Sequence, residues 1–198
     1  MRHVCLSSIP KMSAILVVAL ASFVASCAGQ PGTALSLPFA AIPLLNASLV
    51  NHFCLVSRDF NATAHAYAFL FGGSPPVGKP ALHQWNWYRG ANTSAAALLV
   101  HAPAGPPGFT VEIISPQDSL PSIYNELLGK QGPTVQHFGV AVPQGSMDAV
   151  RAQFEAAGYH TVQAGQGSWG CYAYIQMPDL GTIVELLDSG NMHCTCPT

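Results

Sequence analysis

Four side chains that can bind a metal stand inside apolar, strand-like runs of this sequence. His52 and His137 come early in two of these runs, and Glu112 and Glu185 lie within two others. A glutamate is rarely buried unless it is paired or ligated, so these carboxylates need a partner. Two imidazoles and two carboxylates suit Ni, Zn, Fe(II), Co or Mn, and the lack of thiolates at these positions argues against a cysteine-rich structural zinc site. We therefore expect one divalent metal ion as cofactor.

The same pattern occurs twice along the chain. The run His-Phe-Cys at 52–54 is echoed by His-Phe-Gly at 137–139, and Val-Glu-Ile at 111–113 is echoed by Val-Glu-Leu at 184–186. Any one of the four residues alone would more simply be a core histidine or a glutamate on an edge strand. Their recurrence at matching places in two repeats favours a metal site.

The elements that position these residues follow one order in both repeats. In module one, 49–116, a strand and a helix capped by Asp59 or Asn61 precede three strands. Module two, 134–188, has a strand, a helix that begins at Ser146, and three strands, with a flexible loop at 165–170. The segment 117–133 connects the modules and contains a short helix pattern. The predicted fold class is α+β, with βαβββ occurring twice.

These residues resemble the vicinal oxygen chelate superfamily, which includes glyoxalase I, bleomycin-resistance proteins and extradiol dioxygenases. The resemblance covers 49–188 and is strongest at 51–59, 137–142 and 172–187. It implies that the two modules form a cup-shaped mixed β-sheet around a metal site, with the helices outside. The cup is completed either within one chain or across a homodimer. Carried over by position, the metal ligands are His52, Glu112, His137 and Glu185, which resembles the bacterial-type glyoxalase I arrangement.

The resemblance also suggests catalytic and substrate-binding residues. A metal with open positions can hold two vicinal substrate oxygens and stabilise an enediolate. A glutamate that leaves the metal could then act as the base, so Glu185 and Glu112 are the candidate catalytic residues. Arg58 could bind an anionic group, although an ion pair on the surface is the simpler interpretation. Four aromatic residues on strands are candidates to line the cup or to fill the core: Trp85, Trp87, Tyr172 and Tyr174.

Three functions are compatible with this pattern. The first is an exported, metal-dependent, glyoxalase-like enzyme that catalyses a lyase- or isomerase-type proton transfer on a small, vicinally oxygenated substrate. An alternative is an Fe(II) extradiol-type dioxygenase, in which His52, His137 and Glu185 bind iron and Glu112 does not. Another is a non-catalytic protein of the bleomycin-resistance type that binds a small molecule.

The start of the chain predicts export. Arg2 and Lys11 supply positive charge, and the apolar run at 12–24 is too short to span a bilayer, as is typical of a signal peptide at 1–29. Residues 30–48 read as an extended leader, and no membrane span is expected in the mature chain. We expect a secreted or secretory-lumen protein. A lipid anchor at Cys27 is the alternative in a bacterium.

Glycosylation sequons and cysteines agree with export. The sequence has acceptor sequons at Asn46, Asn61 and Asn92. Four cysteines follow the predicted signal, a number compatible with disulfides whose pairing the sequence leaves open. Two of them stand in the tail at 189–198, where a disulfide or a metal-binding tract would explain them; the four are Cys54, Cys171, Cys194 and Cys196.

Composition excludes two classes. Apolar residues make up 49% of the chain and charged residues 8%, which excludes a disordered protein. The formal charge is −2 with only seven Lys plus Arg, so the protein lacks the basic surface that nucleic-acid binding requires. The expected partner is a small-molecule substrate.

Overall fold

The computed structural model describes residue 42 and residues 45–197, except for the side chain of Gln131. These residues form an α+β fold with one ten-stranded mixed sheet, which confirms the predicted fold class. The predicted signal at 1–29 and most of the leader at 30–48 lie outside the described residues. Within the described part of the chain, no helix is long and apolar enough to cross a membrane.

The order of elements follows the two repeats, except that module one has two additional strands of two residues each. The helices are α1 (Phe60–Phe71), α2 (Ile123–Gln131) and α3 (Met147–Ala156). Short 3-10 helices cover Ala47–Leu49 and Pro178–Leu180. The strands are β1 (Val50–Val56), β2 (Lys79–Pro80), β3 (His83–Tyr88), β4 (Ala91–Asn92), β5 (Ala97–Pro103), β6 (Thr110–Pro116), β7 (Thr134–Ala141), β8 (Thr161–Gly167), β9 (Gly170–Met177) and β10 (Thr182–Ser189).

The first strands of the two modules lie side by side in the middle of the sheet. The strand order is β2-β5-β6-β1-β7-β10-β9-β8-β3-β4. β1 and β7 pair antiparallel, and each has the last strand of its own module as a parallel partner, β6 for β1 and β10 for β7. The four strands that carry the predicted ligands are therefore adjacent.

Two strands of module one, β3 and the short β4, lie at the edge of module two. β2 pairs with β5 at one end of the sheet, whereas β3 pairs with β8 near the other end. Only residues 81 and 82 join β2 to β3, and three Cα–Cα steps span at most about 11 Å. The two ends of the sheet must therefore lie close together, so the sheet curls back on itself into a cup.

Side chains alternate between the outer and inner faces of this cup. On the outer face, α1 packs through Phe60, Ala64 and Tyr67 against β6, as part of one apolar cluster. The outer faces of β9 and β10 are covered by α3, whose contact residues are Met147, Val150 and Phe154. These two helices lie outside the cup, as predicted.

The connecting helix α2 lies elsewhere. Its residues Ile123, Tyr124 and Leu128 join an apolar cluster with inner-face residues that include Cys54 and Tyr174. The helix therefore packs against the inner face of the sheet; it belongs to the connecting segment and to neither module. The reason is that α2 presents these three apolar side chains to the inner face, where they are buried.

Two local expectations differ from the structure. The predicted loop at 165–170 is mostly strand, because β8 runs to Gly167 and β9 begins at Gly170. Ser146 stands at the N-cap of α3 without making a side-chain cap. The buried Asp188 of β10 instead accepts hydrogen bonds from the backbone N–H groups of Gly145 and Met147, at 3.0–3.1 Å. By contrast, Asp59 does cap α1, accepting from Ala62 N at 2.9 Å.

The cysteines divide into one pair and two free thiols. Cys171 and Cys194 form a disulfide that ties the tail to β9. Among the described residues, Cys54 is free and buried, and Cys196 is free and exposed. The tail is thus fixed to the sheet by a disulfide, one of the two explanations left open above.

Candidate metal centre

The structure brings the four predicted ligands together at the middle of the sheet. Each of His52, Glu112, His137 and Glu185 offers one ligand atom, and these atoms all lie within 4.8 Å of one another. Both Nε2 atoms lie near Glu185 Oε2, at 3.0 Å for His52 and 3.3 Å for His137. Glu112 Oε2 is 3.1 Å from His137 Nε2 and 3.7 Å from His52 Nε2.

These separations match those between atoms that bind one ion. With metal–ligand bonds of 2.0–2.2 Å, neighbouring ligand atoms stand roughly 3.0–3.5 Å apart. All four side chains are buried, and neither Glu112 Oε2 nor Glu185 Oε2 has a hydrogen bond of acceptable geometry. Four electron-rich atoms at this distance need a cation among them. The residues therefore fit a divalent metal, which they could hold as two imidazole and two carboxylate ligands.

Neighbouring amides orient both histidines. His52 Nδ1 lies 2.8 Å from Asn51 Oδ1, and His137 Nδ1 lies 2.6 Å from Gln136 Oε1. An amide oxygen can only accept, so each Nδ1 carries the hydrogen and each neutral ring turns the lone pair of Nε2 towards the centre. A partner of this kind on the second ring nitrogen is typical of histidines that bind metals.

Gly139 makes room for one of these rings. It is the cross-strand neighbour of His52 on β1 and of Glu185 on β10. A Cβ atom at this position would stand 1.7 Å from His52 Cε1. Only glycine leaves the imidazole of His52 space to reach the centre.

The charges of the centre shift one another's pKa values. Burial acts to raise the pKa of Glu112, but its contacts with His101 and His137 outweigh burial and hold the pKa well below its usual range. Burial also acts to raise the pKa of Glu185, but the charge of His137 together with the contacts of His137 and His52 outweighs burial and lowers this pKa. For His137, burial acts to lower the pKa, but Glu185 and Glu112 raise it to about 9. In the metal-free protein, a proton on His137 thus supplies positive charge that a metal would replace.

A third histidine contacts the centre from the solvent side. His101 is the cross-strand neighbour of Glu112, and its Nε2 lies 3.3 Å from Glu112 Oε1. Its Nδ1 is 3.4 Å from the hydroxyl of Thr110. With the hydroxyl donating to Nδ1, the Nε2–H of His101 donates to Glu112 and leaves the other carboxylate oxygen to face the centre.

A cavity of about 390 Å³ leads from the surface to the cluster. This volume is within the range of small-molecule sites. Three of the four candidate ligands line it, together with polar and apolar residues from β1, β5, β6, the β8–β9 turn and β10. The lining consists of Asn51, His52, Leu99, His101, Gly108, Thr110, Glu112, Trp169, Glu185, Leu187 and Ser189.

The predicted substrate-binding residues lie outside this lining. Arg58 is exposed at the end of β1. Trp85 donates to Gln166 and packs against the cluster under α3, and Trp87 pairs with β8. Tyr172 and Tyr174 are buried on the inner face, where the Tyr174 ring lies 4.9 Å from that of His137. A direct role of these five residues in substrate binding stays a prediction.

Sequence reasoning missed four residues of the site. The amides Asn51 and Gln136 immediately precede the two histidines, so their repetition was a signal that could have found them. His101 was visible only as a histidine without a partner, because its contact depends on the register of β5 against β6. Trp169 stands in the turn between β8 and β9, where no periodicity indicates which way a side chain points.

Comparisons with known proteins agree with this architecture. The sequence profile of the glyoxalase/bleomycin resistance protein/dioxygenase superfamily matches residues 51–174. No curated protein sequence matches the chain. A variant of methylmalonyl-CoA epimerase from Streptomyces coelicolor, in complex with 2-nitronate-propionyl-CoA, has 18% identity and a TM-score of 0.50, over 71% of this chain and 96% of that one.

The methylmalonyl-CoA epimerase of Mycobacterium tuberculosis has 20% identity and a TM-score of 0.50, over 75% of this chain and 94% of that one. At such identities these two structures establish a shared fold and no more. The profile match spans more than half of the chain and includes three of the four clustered residues. The chain belongs to the glyoxalase/bleomycin resistance protein/dioxygenase superfamily, the vicinal oxygen chelate proteins.

Proposed function

We propose that this protein is a metal-dependent enzyme that transfers a proton at a carbon next to two vicinal oxygens of a small molecule, a lyase- or isomerase-type reaction. The observation that carries the proposal is the buried cluster of two imidazole nitrogens and two carboxylate oxygens within 4.8 Å. Its cavity connects these atoms to solvent. The methylmalonyl-CoA epimerases that share the fold are isomerases by name, which supports this class of reaction.

A bound divalent ion would act as a Lewis acid for the two substrate oxygens. His52 and His137 would hold it rigidly, because Asn51 and Gln136 orient both rings. The two carboxylates differ in how they are held. Glu112 is tied through its second oxygen to His101, whereas the polar contacts of the Glu185 carboxylate are to His52 and His137. Glu185 is therefore the carboxylate freer to accept the substrate proton, and Glu112 is the alternative base.

Elemental analysis tests the metal site. The mature chain, from about residue 30, would be expressed in an oxidising compartment as wild type, His137→Ala and Glu185→Ala. We expect about one divalent ion per chain in the wild type and loss of the ion in both variants. His160→Ala is the matched control, because His160 is exposed and its Nδ1 contacts Glu155 rather than the cluster. A folded wild type without metal after reconstitution with Ni, Zn, Fe(II), Co and Mn would contradict the proposal.

Proton exchange tests the assignment of the base. The metal-loaded protein would be incubated in deuterated water with small α-hydroxyketones, and deuterium at the carbon next to the carbonyl would be followed by NMR. Glu185→Gln should retain metal and lower the exchange rate by about 100-fold or more, as expected for removal of a general base. An unchanged rate with metal retained would transfer the role to another group, and Glu112→Gln would test the alternative.

One contact favours a second candidate, an Fe(II) oxygenase with His52, His137 and Glu185 as ligands. His101 engages Glu112 Oε1 from outside the cluster, so Glu112 has a partner of its own and would be the carboxylate left out of a three-ligand site. The remaining two histidines and one carboxylate are the ligand set of many Fe(II) oxygenases. Iron in the purified protein, with oxygen uptake on catechols, would favour this candidate. Tight small-molecule binding without turnover would instead favour a non-catalytic binding protein.

We also propose that the protein is exported and glycosylated. The Cys171–Cys194 disulfide supports an oxidising compartment, and the acceptor residues Asn46, Asn61 and Asn92 are all exposed. Secretion from a eukaryotic host, followed by glycosidase treatment, tests this. A drop in mass that is absent after all three asparagines are changed to glutamine is expected. An intracellular, unmodified product would contradict it.

A further inference from the structure

The walls of the cavity above the candidate metal ligands contain no charged side chain among the described residues except His101, which Glu112 engages. Apart from the candidate metal ligands and His101, its lining contains amide, hydroxyl, aliphatic, glycine and indole groups, with no lysine or arginine among the described residues. Two carboxylates would also balance the charge of a divalent ion. The centre therefore presents no net positive charge to a substrate, apart from any carried by histidine.

The basic residues of the described chain are engaged or directed elsewhere. Arg89 and Lys130 both contact Glu126, at 2.9 and 2.6 Å, and Arg151 contacts Asp148 at 3.3 Å. Arg58 is exposed at the end of β1. Lys79 pairs with Leu99 of the lining, but its side chain is exposed and does not line the cavity.

An aromatic wall is built into the mouth of the cavity. Trp169 is 42% exposed, and its ring stacks on Tyr172 with centroids 6.0 Å apart. Gly167 makes room for the indole, because a Cβ atom there would lie 2.8 Å from Trp169 Nε1. The indole is thus held from behind, and the apolar side chains of Leu99 and Leu187 also line the cavity. Such a wall favours a flat, apolar group.

We propose that the site takes an uncharged molecule in which two vicinal oxygens adjoin a flat ring, and that it discriminates against molecules with an anionic group at the far end. This inference rests on the proposed function, since the metal must hold the two oxygens. The ring packs between Trp169 and the leucines. An anionic group there would lose water without gaining a free cationic partner, because the imidazole of His101 is already engaged by Glu112. Charged conjugates are therefore poor substrates.

Three probes with the same vicinal oxygens separate these effects. They are 2-hydroxyacetophenone, which has a neutral ring; 4-(hydroxyacetyl)benzoate, which adds a carboxylate at the far end; and hydroxyacetone, which lacks the ring. Binding to the zinc-loaded protein would be measured by calorimetry at one fixed salt concentration. We expect 2-hydroxyacetophenone to bind at least about tenfold more tightly than either of the other two compounds.

Two variants assign the preference to the walls. Trp169→Ala should reduce the advantage of 2-hydroxyacetophenone over hydroxyacetone by about three- to tenfold. Leu99→Lys places a cation in the lining and should improve binding of the benzoate relative to the neutral ring by about tenfold. Lys79→Gln is the matched control, because it removes an exposed cation beside Leu99 and should leave all three affinities unchanged.

The outcomes distinguish the two proposals. Failure of the folded wild type to bind zinc or any of Ni, Fe(II), Co and Mn overturns the proposed function. If the protein binds zinc but binds the benzoate as tightly as 2-hydroxyacetophenone or more tightly, the neutral-substrate inference is overturned and the metal site stands. Loss of the benzoate affinity in Lys79→Gln would identify Lys79 as its cationic partner. Zinc binding without any affinity for 2-hydroxyacetophenone overturns the inference as well.

Discussion

The two modules contribute alike to the candidate metal site, but the surroundings of their ligands differ. In each module a histidine follows an amide residue and a glutamate lies on the last strand. The histidine of each module also faces the residue two positions after the histidine of the other, so that His52 lies opposite Gly139 and His137 opposite Cys54. The cross-strand neighbour of the glutamate then differs, being His101 for Glu112 and Tyr174 for Glu185.

That difference decides which side of the cluster is open. The His101 side chain is 40% exposed and lines the cavity, together with Leu99 and Thr110 of the same module. Tyr174 is 1% exposed, and its hydroxyl lies 2.9 Å from that of Tyr124 on the connecting helix α2. Module one therefore supplies much of the entrance, with Trp169 of module two at its mouth, whereas Tyr174 and α2 close the other side of the cluster. The repeated residues thus supply the ligands, and the differences between their neighbours open one side of the site to solvent.

The largest effect is expected where the histidine of one module faces the small residue of the other. In Gly139→Ala the new Cβ would collide with the ring of His52, so we expect metal affinity to fall by at least about 100-fold. Cys54→Ala, the matching change in the other half, removes only a sulfur and should keep metal binding. Metal titration with circular dichroism as a check on folding measures both. Wild-type affinity in Gly139→Ala would contradict the close approach.

The contact between protonated His137 and the Glu185 carboxylate should make the stability of the metal-free protein depend on pH. The pKa of His137 is raised to about 9, so its stabilising contribution is fully present below its unfolded pKa and is lost as the pH rises through 9. Integrated over this shift, the loss is about 3 kcal/mol. Denaturant unfolding of the apoprotein between pH 6 and 10 measures it. His137→Ala should remove most of the dependence and leave the part due to His101, whose pKa Glu112 also raises against the effect of burial, whereas His160→Ala should preserve it.

The amides that orient the histidines should matter unequally. Gln136 is buried, so Gln136→Ala should weaken metal binding by roughly 10- to 100-fold. Asn51 is partly exposed at the cavity, where water can replace its side chain. Asn51→Ala should therefore weaken metal binding by about tenfold or less. Competition with a chelator gives both affinities. The exposed residue Gln144 provides the control variant Gln144→Ala, and equal losses in all three variants would deny the amides a specific role.

The smallest effects should separate the open side from the closed side. His101→Ala removes the hydrogen bond that orients Glu112 and should lower metal affinity by about tenfold with little change in stability. Tyr174→Phe removes the hydroxyl pair with Tyr124 and should lower the free energy of unfolding by about 1 kcal/mol while metal affinity stays the same. The opposite pattern, with Tyr174→Phe losing metal and His101→Ala losing stability, would refute this division.

The sequence predicted the parts of the site that repeat and missed those that depend on distant pairing. The four clustered residues were identifiable because histidine and glutamate recur at matching strand positions. His101 was not, because a shift of one residue between β5 and β6 would turn it to the other face. Trp85 and Trp87 alternate along β3, but alternation alone does not say which partner strand they meet. That partner, β8, could not be inferred locally.

The crossing of β3 to module two has a consequence for how the chain folds. Tyr88 pairs with Gln163, so the edge of the first repeat is completed by residues made 75 positions later. During synthesis the first repeat emerges before its partner strand exists, with a polar backbone edge that nothing yet covers. Neither repeat is then an autonomous folding unit, and a chain cut between them should yield two fragments that associate rather than two stable domains. The duplicated sequence has become a single cooperative structure.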